Sequence, residues 1–401
     1  MPTSIPDRRE HAGIDWLNPL SVLFAVVTVY VVGRLLIEQA FRVPPIWGGS
    51  AASERKALIL VAGFTLAASV GVWLVPRRPR LCVQISNRGP VGRSIGRGLV
   101  GIYLAVGLGA AVMLLRHLGG LSRAMENQAA WASQLKEMGL TPLYGLSYLF
   151  IHACILLSFR ATIAGRFVRA SIWFCCVLGL AIVLGRRIMI LFAGLPLLAS
   201  VHYHVRRLNW RHVTVLGLAG FTLFTSILLL RLNTDRGSIA EAVGTSLEYA
   251  LYDALVITVD RAKDLAALNA SYFLRHPDEF WGANTAALFF QRITGFKWLG
   301  GATPPSAVGT LWVYFGTLGL LTSGIILGYV MGRLRVEAKG SPPAALLYGF
   351  VLFYWFDFLR NGDIVMELKL FARNAVLLCA LLLCFYRLRI ASTGRTTEHT
   401  S

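Results

Sequence analysis

Two adjacent arginines, Arg186 and Arg187, interrupt "VLGRRIMILF", with one apolar run before them from about Ala170 and another after them to about Val201. A guanidinium stays charged at any relevant pH and grips phosphate oxygens through two parallel N–H donors. The pair can be read as a tight turn on the basic side of a membrane, as two charges at its outer face, or as the anion-binding part of a site. Arg34, Arg231, Arg236, Arg292, Arg360 and Arg373 also border apolar runs. Asp235, His276 and Asp363 stand near the same borders and are of the types that take a proton from a hydroxyl. Glu241, Glu248, Asp253 and Asp264 fit a solvated helix face instead. There is no DxD, no cluster of acids and no Cys/His spacing suited to zinc, so neither a metal nor a cofactor is expected.

The elements that must carry these residues are set by composition. The chain has 401 residues, 56% of them hydrophobic and only 15% charged, where an ordinary soluble domain carries about a quarter charged. Apolar stretches long enough to cross about 30 Å of hydrocarbon recur from end to end. They predict an all-α, polytopic integral membrane protein with about ten spans, near 17–37, 57–76, 98–115, 141–159, 170–185, 188–204, 212–230, 306–330, 344–359 and 370–386. The run 17–37 is too long for a signal-peptide core and reads as the first span. Of the six cysteines, five lie inside apolar runs, where a thiol serves as a small hydrophobe. A net charge of +19 would suggest nucleic acid in a soluble chain; here basic membrane loops account for it, and no nucleic-acid partner is expected.

Loop charge gives an orientation. The segment 77–97 carries six arginines and no acid, and the segments around Arg166, Arg206 and Arg333, with the C-terminal tail, are also basic. With both termini cytoplasmic, all of these fall on one side, and the positive-inside rule places 116–140 and 231–305 outside. That layout carries Arg186 and Arg187 to the outer face, along with Arg231, Arg236, Arg292 and Arg360. Orientation statistics do not ask for arginines there, whereas an anionic ligand does. Within 231–305, Ala242, Leu247, Ala250, Leu251, Ala254 and Leu255 recur at helical spacing, and "HPDEFWGANTAALFFQRI" has the proline and acids of a helix start. Short helices on the membrane surface, capping a cavity, are expected. The glycines from Gly309 to Gly332 predict close helix packing in lipid. His202 and His204 are expected at the opposite interface, on different faces of their helix.

Three stretches carry a resemblance. "LGRRIMILFAGLPLL", then "LFFQRITGFKWLGGATPPSAVGTLWVYFGTLGLLTSGIILG", then "FLRNGD" resemble, in that order and around a long outer loop, the bacterial repeat-unit polymerases of the O-antigen polymerase (Wzy) type. The likeness covers roughly 170–375. It departs where many members carry Glu and Asn before the Phe-Gly pair and this chain has Thr310 and Tyr314. The Arg-Gly-Asp-like turn is here Arg360-Asn361-Gly362-Asp363, with altered spacing.

The resemblance implies a GT-C-like glycosyltransferase of the bacterial inner membrane. It would act on polyprenyl-diphosphate-linked oligosaccharides at the outer face, within the bilayer and with a chain-length regulator as a further partner. Arg186, Arg187, Arg236, Arg292 and Arg360 would hold the diphosphate. Arg187 and Arg360 would also stabilise charge developing on the leaving phosphate. Asp235, His276 or Asp363 would take the acceptor's proton. An O-antigen ligase shares donor and topology and would use a His of the large loop, such as His276. A transporter of lipid-linked oligosaccharides would line a central passage with its arginines instead of gathering them at one face.

Overall fold

In the computed structural model, residues 15–32, 50–76, 81–87, 89–121, 135, 137–183, 188–232, 256, 259, 306–361 and 364–392 are described. Ten α-helices lie among them: α1 (Pro19–Val27), α2 (Ala51–Trp73), α3 (Pro90–His117), α4 (Thr141–Ile163), α5 (Phe167–Val183), α6 (Ile188–Ser200), α7 (Trp210–Leu232), α8 (Ala307–Ala338), α9 (Pro342–Asn361) and α10 (Ile364–Phe385). α1 and α6 each run on into a π-helical turn, Thr28–Val32 and Val201–Val205. Seven segments are long and apolar enough to cross a membrane, namely Ala51–Trp73, Pro90–His117, Thr141–Ile163, Ile188–Val205, Phe315–Ala338, Pro342–Leu359 and Leu368–Phe385; α5 is apolar but shorter. Large hydrophobics such as Trp73, Ile59 and Leu66 face outward, 82%, 70% and 68% exposed. This is the architecture of a multi-pass membrane protein.

Local chemistry fixes the helix ends. Ser50 and Ser306 cap α2 and α8, each side chain accepting from a backbone N–H three residues on. Asn18 caps α1, and prolines open α1, α3 and α4, where a missing N–H costs nothing. Gly165, at φ 71°, turns the chain from α4 into α5.

The helices gather around two cores. One is built from α3, α4, α5, α6, α9 and α10, the other from α1, α2, α8 and α9. α9 belongs to both: Leu346, Phe350 and Phe353 face the first, Tyr348, Leu352 and Trp355 the second. Lipid supplies no hydrophobic force between helices, so close backbone approach must hold them. Along the parallel pair α2–α8, a Cβ at Gly328 would stand 2.1 Å from the Ala68 carbonyl oxygen, and one at Gly71 2.1 Å from that of Ile325. Gly107 lies similarly on Phe150, and Gly349 on Leu195 and Pro196. The expected packing role of the α8 glycines holds for Gly324, Gly328 and Gly332. Gly316 differs, because its φ of 68° and ψ of −173° break the helix after Phe315, in a region open essentially to glycine alone.

The helical class expected from the sequence holds, with one small addition: β1 (Leu81–Asn87) pairs antiparallel with β2 (Tyr386–Ser392), from Leu81 opposite Ser392 to Asn87 opposite Tyr386. Residues 77–97 are therefore not simply a basic loop, since they hold β1 and the first two turns of α3. The alternation in "LCVQIS" suits a strand, and its partner lies some 300 residues away. Likewise α3 continues through His117, so the segment 116–140 begins as helix. The ribbon marks one end of the bundle, called here the ribbon end; α4, α6, α8 and α10 begin at the opposite, far end.

Candidate functional site

At the far end, Arg360 stands in the last turn of α9, and α6 begins directly after Arg187. Arg186, Arg187, Asp235, Arg236, His276, Arg292 and Asp363 lie outside the described residues, as do both ends of the 231–305 segment beyond Leu232 and before Ser306. Among the described residues a polar knot lies instead about midway through the bundle, buried among α4, α6, α9 and α10.

Its centre is His152, fully buried midway along α4. Nδ1 lies 2.6 Å from the carbonyl oxygen of Tyr148, one turn earlier, which assigns the proton to Nδ1 and leaves Nε2 as an acceptor. Nε2 faces α10 at Asn374 yet makes no hydrogen bond. Asn374 donates from Nδ2 to the Tyr354 hydroxyl at 2.6 Å, and Tyr354 donates to the Leu370 carbonyl at 3.2 Å. Asn374 Oδ1 is the second buried acceptor without a partner. Phe192, in the second turn of α6, packs its ring edge-on against Tyr148, His152, Phe353 and Tyr354. Buried polar atoms are almost always satisfied, and these two lack a side-chain partner among the described residues.

Arg373 is the neighbour of Asn374 and points the other way, exposed on the flank of the bundle. Its guanidinium lies over the Tyr148 ring, 4.9 Å from the centroid, and beside Gly145, where a Cβ would come within 3.9 Å of Nη1. Among the described residues no carboxylate pairs with it. Arg373 stands nine residues after the start of α10, a helix whose Leu368–Phe385 part is apolar enough to cross a membrane. Lys369 lies one turn nearer the far end on the same face. The Tyr144 and Tyr148 hydroxyls, 3.1 Å apart, complete the surroundings. A cation placed in hydrocarbon costs a few kcal/mol at least, and such residues mark ligand paths or buried partners.

Sequence reasoning placed Arg373 at a membrane border but passed over His152, Asn374 and Tyr354. The signal was present: "FIHACIL" and "FARNAVL" each set a polar residue inside an apolar run. Among the described residues no three His, Cys, Asp or Glu side chains gather in a way that could hold a metal ion.

The ribbon end carries a second polar cluster with a different character. Asp15, just before α1, accepts on Oδ2 from Arg335 Nε at 2.9 Å and Nη2 at 2.7 Å, and on Oδ1 from His202 Nε2 at 3.1 Å. The Tyr203 hydroxyl adds a donor at 3.2 Å, and Tyr348 donates to the Leu17 carbonyl. His202 Nδ1 accepts from the Leu208 N–H at 3.1 Å, so its proton is on Nε2 and both ring nitrogens are used. Burial would raise the Asp15 carboxyl, but the hydrogen bond from His202 and the Arg335 guanidinium outweigh it and hold it well below the usual carboxylate range. Every group here has a partner, which makes this cluster a latch between α6 and α8 and not a site. His204 donates to the Ala338 carbonyl at 2.8 Å and reinforces it. No family model, curated protein or solved structure matches the chain.

Proposed function

We propose that this protein is a ten-span, GT-C-like membrane glycosyltransferase that polymerises polyprenyl-diphosphate-linked oligosaccharide repeat units at the outer face of a bacterial inner membrane, with both termini cytoplasmic. The observation that carries the reading is Arg373. It is an exposed cation that meets no carboxylate among the described residues, and it lies within a helix long and apolar enough to cross a membrane. A substrate that is itself anchored in lipid and carries a diphosphate brings an anion to that helix. The resemblance of the three stretches to repeat-unit polymerases adds to this, as does the orientation argued from loop charge.

In the reaction, the acceptor sugar's hydroxyl oxygen attacks the anomeric carbon of the donor glycan. The bond from that carbon to the diphosphate oxygen breaks, polyprenyl diphosphate leaves, and the hydroxyl proton passes to a base for which Asp235, His276 and Asp363 are the candidates. Arginines at the diphosphate oppose the charge developing on the departing oxygen, commonly the largest contribution in such a site. Asn374 acts as a positioning residue: bonded to Tyr354, it seats α10 against α9 with the neighbouring Arg373 on the Tyr148 ring.

Arg373→Gln, Arg360→Gln and Arg187→Gln, each made in cells whose surface polysaccharide depends on this chain, should abolish long-chain glycan while single lipid-linked repeat units accumulate outside. In membranes, transfer should fall about 10²–10³-fold for each arginine that faces the leaving group. Full-length polymer in all three variants would reject the phosphate-clamp assignment. Repeat units trapped on the cytoplasmic leaflet would indicate a transporter, and loss of attachment with polymer length intact would indicate a ligase.

A further inference from the structure

A basic cluster at the ribbon end is not used by the transferase reading. Arg93 and Arg97 are four residues apart in the first two turns of α3 and share a face. Gly96 lies beside them with no side chain, and the Phe385 ring fills the gap: a Cβ at position 96 would stand 2.8 Å from Phe385 Cζ. Arg160, in the last turn of α4, lays its guanidinium 4.0 Å from the centroid of that same ring. Arg93 and Arg97 are the like charges acting on Arg160, and the Tyr386 hydroxyl adjoins it. Among the described residues none of the three arginines meets a carboxylate.

Orientation statistics explain basic loops, but they do not explain a guanidinium held on the Phe385 ring beside the turn of α3 that carries two further exposed arginines. Like charges brought together repel, and an anion between them relieves that repulsion. The anion must be reached at the end of apolar helices, where lipid headgroups lie. We propose that Arg93, Arg97 and Arg160 form a binding site for the phosphate of an anionic membrane lipid, with Phe385 as the platform that holds Arg160 in place. Two guanidinia per phosphate give the paired N–H···O geometry that a lone lysine lacks. The lipid then bridges α3 and α4 at the ribbon end, in addition to their close contact at Gly107 and Phe150.

The test uses the full-length protein in nanodiscs of phosphatidylcholine, with and without phosphatidylglycerol, and reads the lipid-induced rise in melting temperature and the bound lipid retained in native mass spectrometry. Wild type should gain stability and retain phosphatidylglycerol. Arg93→Gln with Arg160→Gln should weaken apparent affinity roughly fivefold per arginine removed, while Arg116→Gln, at the other end of α3, should not change it. The melting temperature in phosphatidylcholine alone reports whether the variants fold. If Arg160→Gln unseats Phe385, Arg93→Gln with Arg97→Gln, both exposed side chains, should still show the loss. Unchanged phosphatidylglycerol binding in a folded variant would overturn the proposal. So would equal stabilisation of the phosphatidylcholine sample by inorganic diphosphate, because the site would then read soluble phosphates and not a lipid.

Discussion

Asp15→Asn is the sharpest test of how the two cores are held together. The Asp15 carboxylate is 8% exposed and receives two hydrogen bonds from Arg335, itself 21% exposed, one from His202 and one from Tyr203. Removing one partner of a buried ion pair costs about 3–5 kcal/mol, mostly because the other charge is left without compensation. Arg335 is one-fifth exposed, so water relieves part of that, and a loss of about 3 kcal/mol is expected. Charge-assisted bonds contribute about 1.5–3 kcal/mol, so a double-mutant cycle of Asp15→Asn with Arg335→Met should show coupling near the middle of that range. Unfolding by SDS in mixed micelles, followed with and without each change, measures both quantities. The carboxyl titrates below its ordinary range when folded, so its contribution is complete above the unfolded value of about 4 and is lost as pH falls through the lower folded value. The Asp15→Asn penalty should therefore be flat from pH 5 to pH 8 and shrink only in strong acid. Additivity of the two changes within about 0.5 kcal/mol would refute the latch, and so would a penalty that disappears near neutral pH.

Two glycines separate packing from backbone geometry. Gly328→Ala drives a methyl to 2.1 Å from the Ala68 carbonyl oxygen and should cost about 1–3 kcal/mol by forcing α2 and α8 apart. Gly101→Ala, with nothing within 4 Å of the added carbon, should be neutral in the same micelle unfolding assay; equal stability of the two variants would contradict the close approach. Gly316→Ala meets no atom within 4 Å either, yet should lose about 1–3 kcal/mol because alanine resists φ 68°, ψ −173°. A neutral result there would mean that α8 runs straight through Phe315 and Gly316.

By itself the sequence determined the environment and the elements. Apolar length and scarce charge are local properties, and seven of the expected spans coincide with helices long and apolar enough to cross a membrane, with starts displaced where Ser50 or Pro90 sets the boundary. The glycines of α8 were legible as packing residues because lipid leaves small side chains as the means of close approach. Arginines beside apolar runs were legible because only 15% of the residues are charged. What stayed hidden depends on residues far apart in sequence. β1 finds its partner at the other end of the chain, and Asp15 meets Arg335 across 320 residues. His152 and Asn374 each stand out as a polar residue in an apolar run, but they face one another only when α4 packs on α10. The three arginines around Phe385 read as ordinary loop charge until α3, α4 and α10 meet. Periodicity and hydropathy act within a helix, whereas a site is made by side chains from several helices. Which faces meet was decided by close contacts between helices, the steric fit at Gly328, Gly107 and Gly349 among them.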